Sequence, residues 1–197
     1  MTHYYSEKQD SKLRFFDTPV FLFGNEFTLK SAGGVFSSRK LDRGTEILLK
    51  FAILKNSWNV LDLGCGNGVV GLSIKKAFPD AKVTLSDINK RAVKIARINM
   101  KALGLDVKII NSNAYEKINE YFNTILLNPP QSAGKDICFE MITKSKNHLL
   151  PGGLLQIVAR RNKGGKHLSE KMQEVFGNLK VIARKSGYWV YVSENTK

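Results

Sequence analysis

The chain holds only two cysteines, Cys65 and Cys138, and acids are scarce beside bases: 17 Asp and Glu against 31 Lys and Arg in 197 residues. Two thiols are too few for a disulfide framework or a structural zinc site, so a reducing cytoplasm is expected and no metal is implied. Long apolar runs are missing as well. No stretch approaches the ~18 uninterrupted apolar residues of a membrane span, and the first residues, MTHYYSEKQDSK, contain no apolar leader. A soluble protein without membrane contact is expected. The shortage of acids leaves a formal net charge of +14, while 43% hydrophobic residues exclude a disordered polycation. Residues 1–30 carry four acids (Glu7, Asp10, Asp17, Glu26) and four bases (Lys8, Lys12, Arg14, Lys30), so the whole excess lies in residues 31–197. Such an excess in one small domain favours a polyanionic partner, nucleic acid ahead of an acidic membrane.

Residues 20–30, VFLFGNEFTLK, alternate apolar and polar about Gly24-Asn25, the pattern of a β-hairpin with a two-residue turn. Asp42 then suits the cap of a helix whose Ile47, Leu48, Phe51 and Leu54 recur at helical spacing up to Lys55. Beyond it, short apolar strands at 59–63, 82–87, 107–111, 124–128, 154–159, 180–184 and 188–192 are expected. Helices are expected between them at about 70–78, 89–103, 135–150 and 165–177. Near-continuous apolar strands separated by helices predict a doubly wound α/β fold with a mostly parallel seven-stranded sheet. Only Lys185-Ser186-Gly187 joins the last two strands, so they should form an antiparallel hairpin.

Ligands of open α/β sheets sit beyond the carboxyl ends of the strands, and three features fall there. The first is VLDLGCGNGVVG, residues 60–71, a buried strand running through Gly64, Cys65, Gly66 and Gly68 into a helix. Gly66, Gly68 and Gly71 match the dinucleotide spacing G-x-G-x-x-G, and Asp87, 21 residues after Gly66, stands where a ribose-binding acid belongs. Asp62 argues against a dinucleotide. Its charge would oppose a pyrophosphate but suits the ammonium of an amino-acid-bearing cofactor, S-adenosyl-L-methionine.

The second feature is LLNPPQ, residues 126–131. Pro129 and Pro130 have no N–H, so this corner offers the Asn128 amide and main-chain carbonyls, an acceptor-rich site for an NH₂ group conjugated to a ring or carbonyl. Two acceptors on that nitrogen would aim its lone pair at a methyl group, and orientation of this kind is worth roughly 7–11 kcal/mol over free encounter. The third feature is basic. KRAVKIARINMK (90–101) reads as a solvated helix face, whereas the loop RRNKGGK, with Arg160, Arg161, Lys163 and Lys166, begins at a strand's carboxyl end and suits RNA phosphates. Phe36, Tyr115 and Trp189 could stack on a base, although core packing is the plainer expectation for each.

The order of HYYSE (3–7), the hairpin, GGVFSSRKLDRGTEILL (33–49), VLDLGCGNGVVG, LSDINKRAVKIARINM (85–100), LLNPP and GGLLQIVAR (152–160) resembles the RsmC-type ribosomal RNA guanine-N2 methyltransferases and their single-domain archaeal relatives, the small methyltransferase domain group. The resemblance implies a class I methyltransferase domain over residues 35–197, behind an extension with the β-hairpin over 1–34. Bacterial members carry a second, degenerate domain copy; a single copy is expected here. The resemblance implies cofactor contacts at Asp62, Gly64, Cys65, Gly66, Gly68, Asp87, Ile88, Asn113, Ala114 and Asn128, and catalysis at Asn128, Pro129 and Pro130. Where the family has an aromatic that stacks on the target base, this sequence has Gln131, so Phe36 becomes the stacking candidate, and Gln131 joins Arg160, Arg161, Lys163 and Lys166 as expected RNA contacts. Ribosomal RNA is the expected partner and transfer RNA the second. Adenine-N6 methylation, glutamine methylation of a protein, and an RNA-binding module without turnover are the alternatives.

Overall fold

The computed structural model describes residues 5–9, 14–37 and 40–196; His3, Tyr4 and positions 38–39 of the motifs above lie outside the described residues. Strands β1 (Phe15–Leu22) and β2 (Asn25–Ala32) pair antiparallel with Leu22 opposite Asn25, so the turn is Phe23-Gly24, one residue earlier than the expected Gly24-Asn25. Moving such a turn by one residue shifts the pairing by two and leaves every side chain on its face, so alternation alone does not choose between them. The Asn25 amide, donating to the Phe23 carbonyl at 3.0 Å, supports the observed turn, whose φ values of 51° and 74° match the twist of a hairpin.

Helix α1 (Arg43–Phe51) starts at the expected Asp42 cap but stops four residues before Lys55. Gln156, buried in the sheet, ends it: its amide accepts from the Ile53 N–H at 2.8 Å and donates to the Ile53 carbonyl at 2.7 Å, holding the chain extended. Thereafter come β3 (Asn59–Leu63), α2 (Val69–Ala77), β4 (Lys82–Asp87), α3 (Lys90–Ala102), β5 (Lys108–Asn111), β6 (Phe122–Leu127), α4 (Lys135–Ser145), β7 (Leu149–Arg160), α5 (Lys166–Phe176), β8 (Lys180–Lys185) and β9 (Tyr188–Glu194). The seven-stranded sheet runs β5-β4-β3-β6-β7-β9-β8. Its first five members are parallel, and β9 is antiparallel to both neighbours, which is the expected class I methyltransferase arrangement. Strand β7 begins five residues earlier than expected. Asn195, just past β9, carries β7 through Pro151-Gly152-Gly153: its carbonyl accepts from the Gly152 N–H at 2.7 Å and its amide donates to the Leu149 carbonyl at 3.0 Å, across the irregularity in the β6–β7 pairing.

Alternation along the strands divides the core. Val60, Val83, Leu85, Leu126, Val158 and Val190 face α1, α2 and the inner side of the hairpin, whereas Leu61, Leu63, Ile125, Leu127, Leu155 and Ile157 face α4 and α5. The hairpin is fastened by Asn99 of α3, which accepts from the Lys30 N–H at 2.8 Å and donates to the Lys30 and Asn67 carbonyls. Strand order reverses between β3 and β6, so their carboxyl ends flank a crevice at the switch point. No helix among the described residues is long and apolar enough to cross a membrane.

Candidate functional site

The turn after β3 exists because Gly64, Gly66 and Gly68 take φ values of 78°, 55° and 86°, a left-handed backbone that side chains resist. The N–H groups of Gly64 and Cys65 donate to the Ser86 carbonyl at 2.8 and 2.9 Å, joining the loop to the end of β4. Gly71 serves packing: a Cβ there would collide with Leu85, so the glycine lets α2 lie close on the sheet.

Asp87 ends β4 and does more than the sequence suggested. Its Oδ2 accepts from the Gly66 N–H at 2.9 Å and its Oδ1 from the Asn89 N–H at 2.8 Å, so this carboxylate shapes the glycine loop it was expected to serve. Burial raises the Asp87 carboxyl above its ordinary range, and the two N–H donors oppose that rise. Asp62 is 3% exposed, and its Oδ2 has no partner among the described residues. Burial drives its carboxyl from the ordinary 3.8 to about 8, against the Gly71 N–H and with a further push from Asp87. A buried, unpartnered carboxylate oxygen beside a glycine loop fits a cofactor that brings its own cation there.

Asn128 closes β6. Its Nδ2 donates to Asp42 Oδ2 at 3.0 Å and to Thr45 Oγ1 at 2.9 Å. Beyond it the Pro129 carbonyl accepts from the Gln131 N–H at 2.8 Å around Pro130 (φ −75°, ψ 71°), an inverse γ-turn that leaves this carbonyl one lone pair for a substrate. Gly64, Gly66, Asp87, Asn128, Pro129 and Pro130 line one crevice with Phe36, and Asp62 and Cys65 line an adjoining one with Phe36, Gly66 and Asn128. Phe36 is 37% exposed and lines both crevices.

Other expected residues lie further out. Gly68 caps α2 against Ala96 and Met100, and Ile88 offers its carbonyl to Asn111 at 2.8 Å. Asn113 is exposed and donates to Glu116 at 2.8 Å, with Ala114 beside it at φ 43°. Gln131 turns away from the main crevice into a separate one shared with Lys135, Lys163 and His167. Arg160 lies over the Tyr188 ring and Arg161 over Trp189, each 5.0 Å from the ring centroid, while Lys166 reaches Glu170 at 3.8 Å. Arg160 ends β7 and Lys166 opens α5, and a kinked, π-type turn over Arg161–Gly165 joins them. Of the aromatics considered for stacking, Tyr115 is buried against His148, and Trp189 carries Arg161 and Arg184.

Four participants were not singled out. Tyr5 lines the main crevice, and burial, then the Asp87 charge, push its hydroxyl up to about 12; its only signal was the HYYSE segment. Asn89, the N-cap of α3, also donates to the Gly34 carbonyl at 2.8 Å and lines the crevice. Asp42 and Thr45, read only as a helix start, reach the NPP corner from more than 80 residues away in sequence. Contacts of that kind leave no local pattern.

The methyltransferase small domain family is matched over residues 26–192. A Bacillus subtilis protein, YbxB, is 35% identical over 192 residues, covering 95% of this chain and 96% of its own. Ribosomal RNA small subunit methyltransferase C of Haemophilus influenzae is 37% identical over 172 residues, covering 85% of this chain and 51% of its own. Among solved structures, the Thermus thermophilus 16S rRNA N2 G1207 methyltransferase RsmC, in complex with AdoMet and guanosine, superposes with a TM-score of 0.81 at 25% identity over 93% of this chain. That match covers 51% of the Thermus protein, so this chain spans about half the length of the named methyltransferases it resembles. With the glycine loop, the switch-point crevice and these matches together, the chain belongs to the methyltransferase small domain family.

Proposed function

We propose that this protein is an S-adenosyl-L-methionine-dependent methyltransferase that modifies the exocyclic N2 of a guanine in ribosomal RNA. The observation that carries the reading is the shared crevice of glycine loop, Asp87 and the Asn128-Pro129-Pro130 corner. The cofactor, when bound, supplies an electrophilic methyl group. The chain would hold it through Asp62 at the ammonium, Asp87 at the ribose hydroxyls, and the loop of Gly64, Cys65, Gly66 and Gly68 along its length, with Ile88 as a further contact and Asn113 and Ala114 at the adenine.

Asn128 Oδ1 and the remaining lone pair of the Pro129 carbonyl then each accept one hydrogen of the target amine. That pyramidalises the nitrogen and turns its lone pair toward the methyl. No strong base is required, since the methylated nitrogen is acidic enough to lose its proton to water. Phe36 supplies an exposed ring at the mouth for the base, and Arg160, Arg161, Lys163, Lys166 and Gln131 meet the RNA beside it. Ribosomal RNA is favoured over transfer RNA because the relatives of matching sequence are named for it. The cytoplasm is the corresponding place of action.

Transfer of labelled methyl to total RNA from a strain lacking this protein, followed by nucleoside identification, tests the proposal. N2-methylguanosine in ribosomal RNA is expected. Label in N6-methyladenosine, in transfer RNA or in protein glutamine would replace the substrate, and the absence of both transfer and cofactor binding would remove the enzyme.

A further inference from the structure

We infer that Asp42 is a positioning residue for the reaction: its carboxylate locks the Asn128 side chain with Oδ1 toward the crevice. The inference rests on the methyltransferase reading for its chemistry and on geometry for the lock itself. Asp42 precedes α1 in an extended conformation, and its Oδ2 accepts from the Thr45 N–H at 2.8 Å and the Thr45 hydroxyl at 3.3 Å, an ordinary helix cap. The same oxygen then takes a third donor from 86 residues away, Asn128 Nδ2 at 3.0 Å, and Thr45 Oγ1 takes the other Nδ2 hydrogen at 2.9 Å.

A carboxylate has lone pairs and no hydrogen, so the Asn128 amide cannot reverse without setting oxygen against oxygen. Both Nδ2 hydrogens are thereby spent on α1, and Oδ1 is left as the acceptor for a substrate amine. Space for this is made by Gly44, where a Cβ would stand 2.9 Å from Asp42 Oδ2 and 3.0 Å from the Tyr188 ring. An unlocked carboxamide would sample orientations that present a donor to the amine, and such loss of alignment lowers turnover without weakening cofactor binding.

The experiment compares Asp42→Ser, which keeps a capping oxygen but falls short of Asn128, with Asp42→Asn, whose side-chain oxygen can still do both jobs; Thr45→Val removes the second acceptor and serves if Asp42→Ser does not fold. Two readouts are taken: kcat and KM for RNA methylation, and the Asn128 side-chain NH₂ signals in ¹H–¹⁵N spectra of the protein alone, identified by their loss in Asn128→Ala. Asp42→Ser is expected to lower kcat roughly 10- to 100-fold with KM unchanged, and to give NH₂ protons that exchange faster than in the wild-type protein. Asp42→Asn is expected to restore both slow exchange and most of kcat. Wild-type kcat in Asp42→Ser, or NH₂ signals indifferent to residue 42, would overturn the inference. So would equal kcat losses in the Ser and Asn variants accompanied by equal drops in Tm, which would reduce Asp42 to a cap. If the wild-type protein methylates no RNA, the proposed reaction falls, while the amide spectra still decide whether Asp42 holds Asn128.

Discussion

Asp62→Asn should flatten the pH dependence of stability. In the folded chain the carboxyl is 3% exposed and titrates at about 8 rather than the ordinary 3.8, because burial penalises its charge more than the Gly71 N–H relieves it. Between those two values the folded state holds a proton that the unfolded state has released, so stability is complete below the unfolded pKa and falls as pH rises toward the folded one. At about 1.4 kcal/mol per pH unit of unequal protonation, the wild-type protein should lose roughly 3 to 4 kcal/mol between about pH 5 and about pH 8 through this group. Asn keeps an oxygen for the Gly71 N–H, carries no charge and lacks that slope. Urea unfolding of both proteins at the two pH values measures it as a difference of differences. A second reading follows from the unpartnered Oδ2. If Asp62 meets the cofactor's ammonium, binding near pH 7 releases close to one proton, visible by calorimetry in buffers of different ionisation enthalpy. Identical pH profiles for the two proteins would refute the buried acid, and binding without proton release would refute the ion pair.

Three further outcomes are expected. Asn128→Ala should cut methyl transfer on the order of 100-fold while leaving cofactor affinity intact, as single-turnover kinetics and cofactor titration can establish; equal losses in both would remove its orienting role. Asp87→Ala should weaken cofactor binding ahead of turnover, and should also lower Tm, since the carboxylate holds the Gly66 and Asn89 N–H groups; unchanged affinity would take it off the ribose. Replacing Arg160, Arg161 and Lys163 together should flatten the salt dependence of RNA binding, with a slope loss of up to ~0.7 per contacted phosphate on a single strand, and an unaltered slope would exclude the loop.

The alternation of strands and helices was legible because buried parallel strands are apolar on both faces and glycines punctuate them; Asn59–Leu63 and Lys82–Asp87 have the expected bounds. Departures occur where a distant side chain completes the backbone. Gln156 cuts α1 short at Phe51, and Asn195 carries β7 through Pro151-Gly152-Gly153. At the site, Gly64, Gly66, Asp87 and Asn128 could be singled out because each sits at a strand end where ligand chemistry constrains residue type. Tyr5 and Thr45 could not, since their relation to the crevice spans long stretches of chain, and Asn89, two residues after Asp87, carried only the signal of a helix cap.

By itself, then, the sequence determined the layered α/β fold, the glycine loop, the acids at 62 and 87 and the acceptor-rich corner at 128–130, all of which follow from local periodicity and from the conformations that Gly and Pro permit. Tertiary structure alone decided three things: that Asp42, the cap of α1, faces Asn128, that Gln131 opens away from the NPP crevice while Phe36 lines it, and that Asp62 is left with an unpartnered oxygen. Each depends on how far apart two side chains end in space, and hydrogen bonding and burial act over ångströms that residue spacing does not measure.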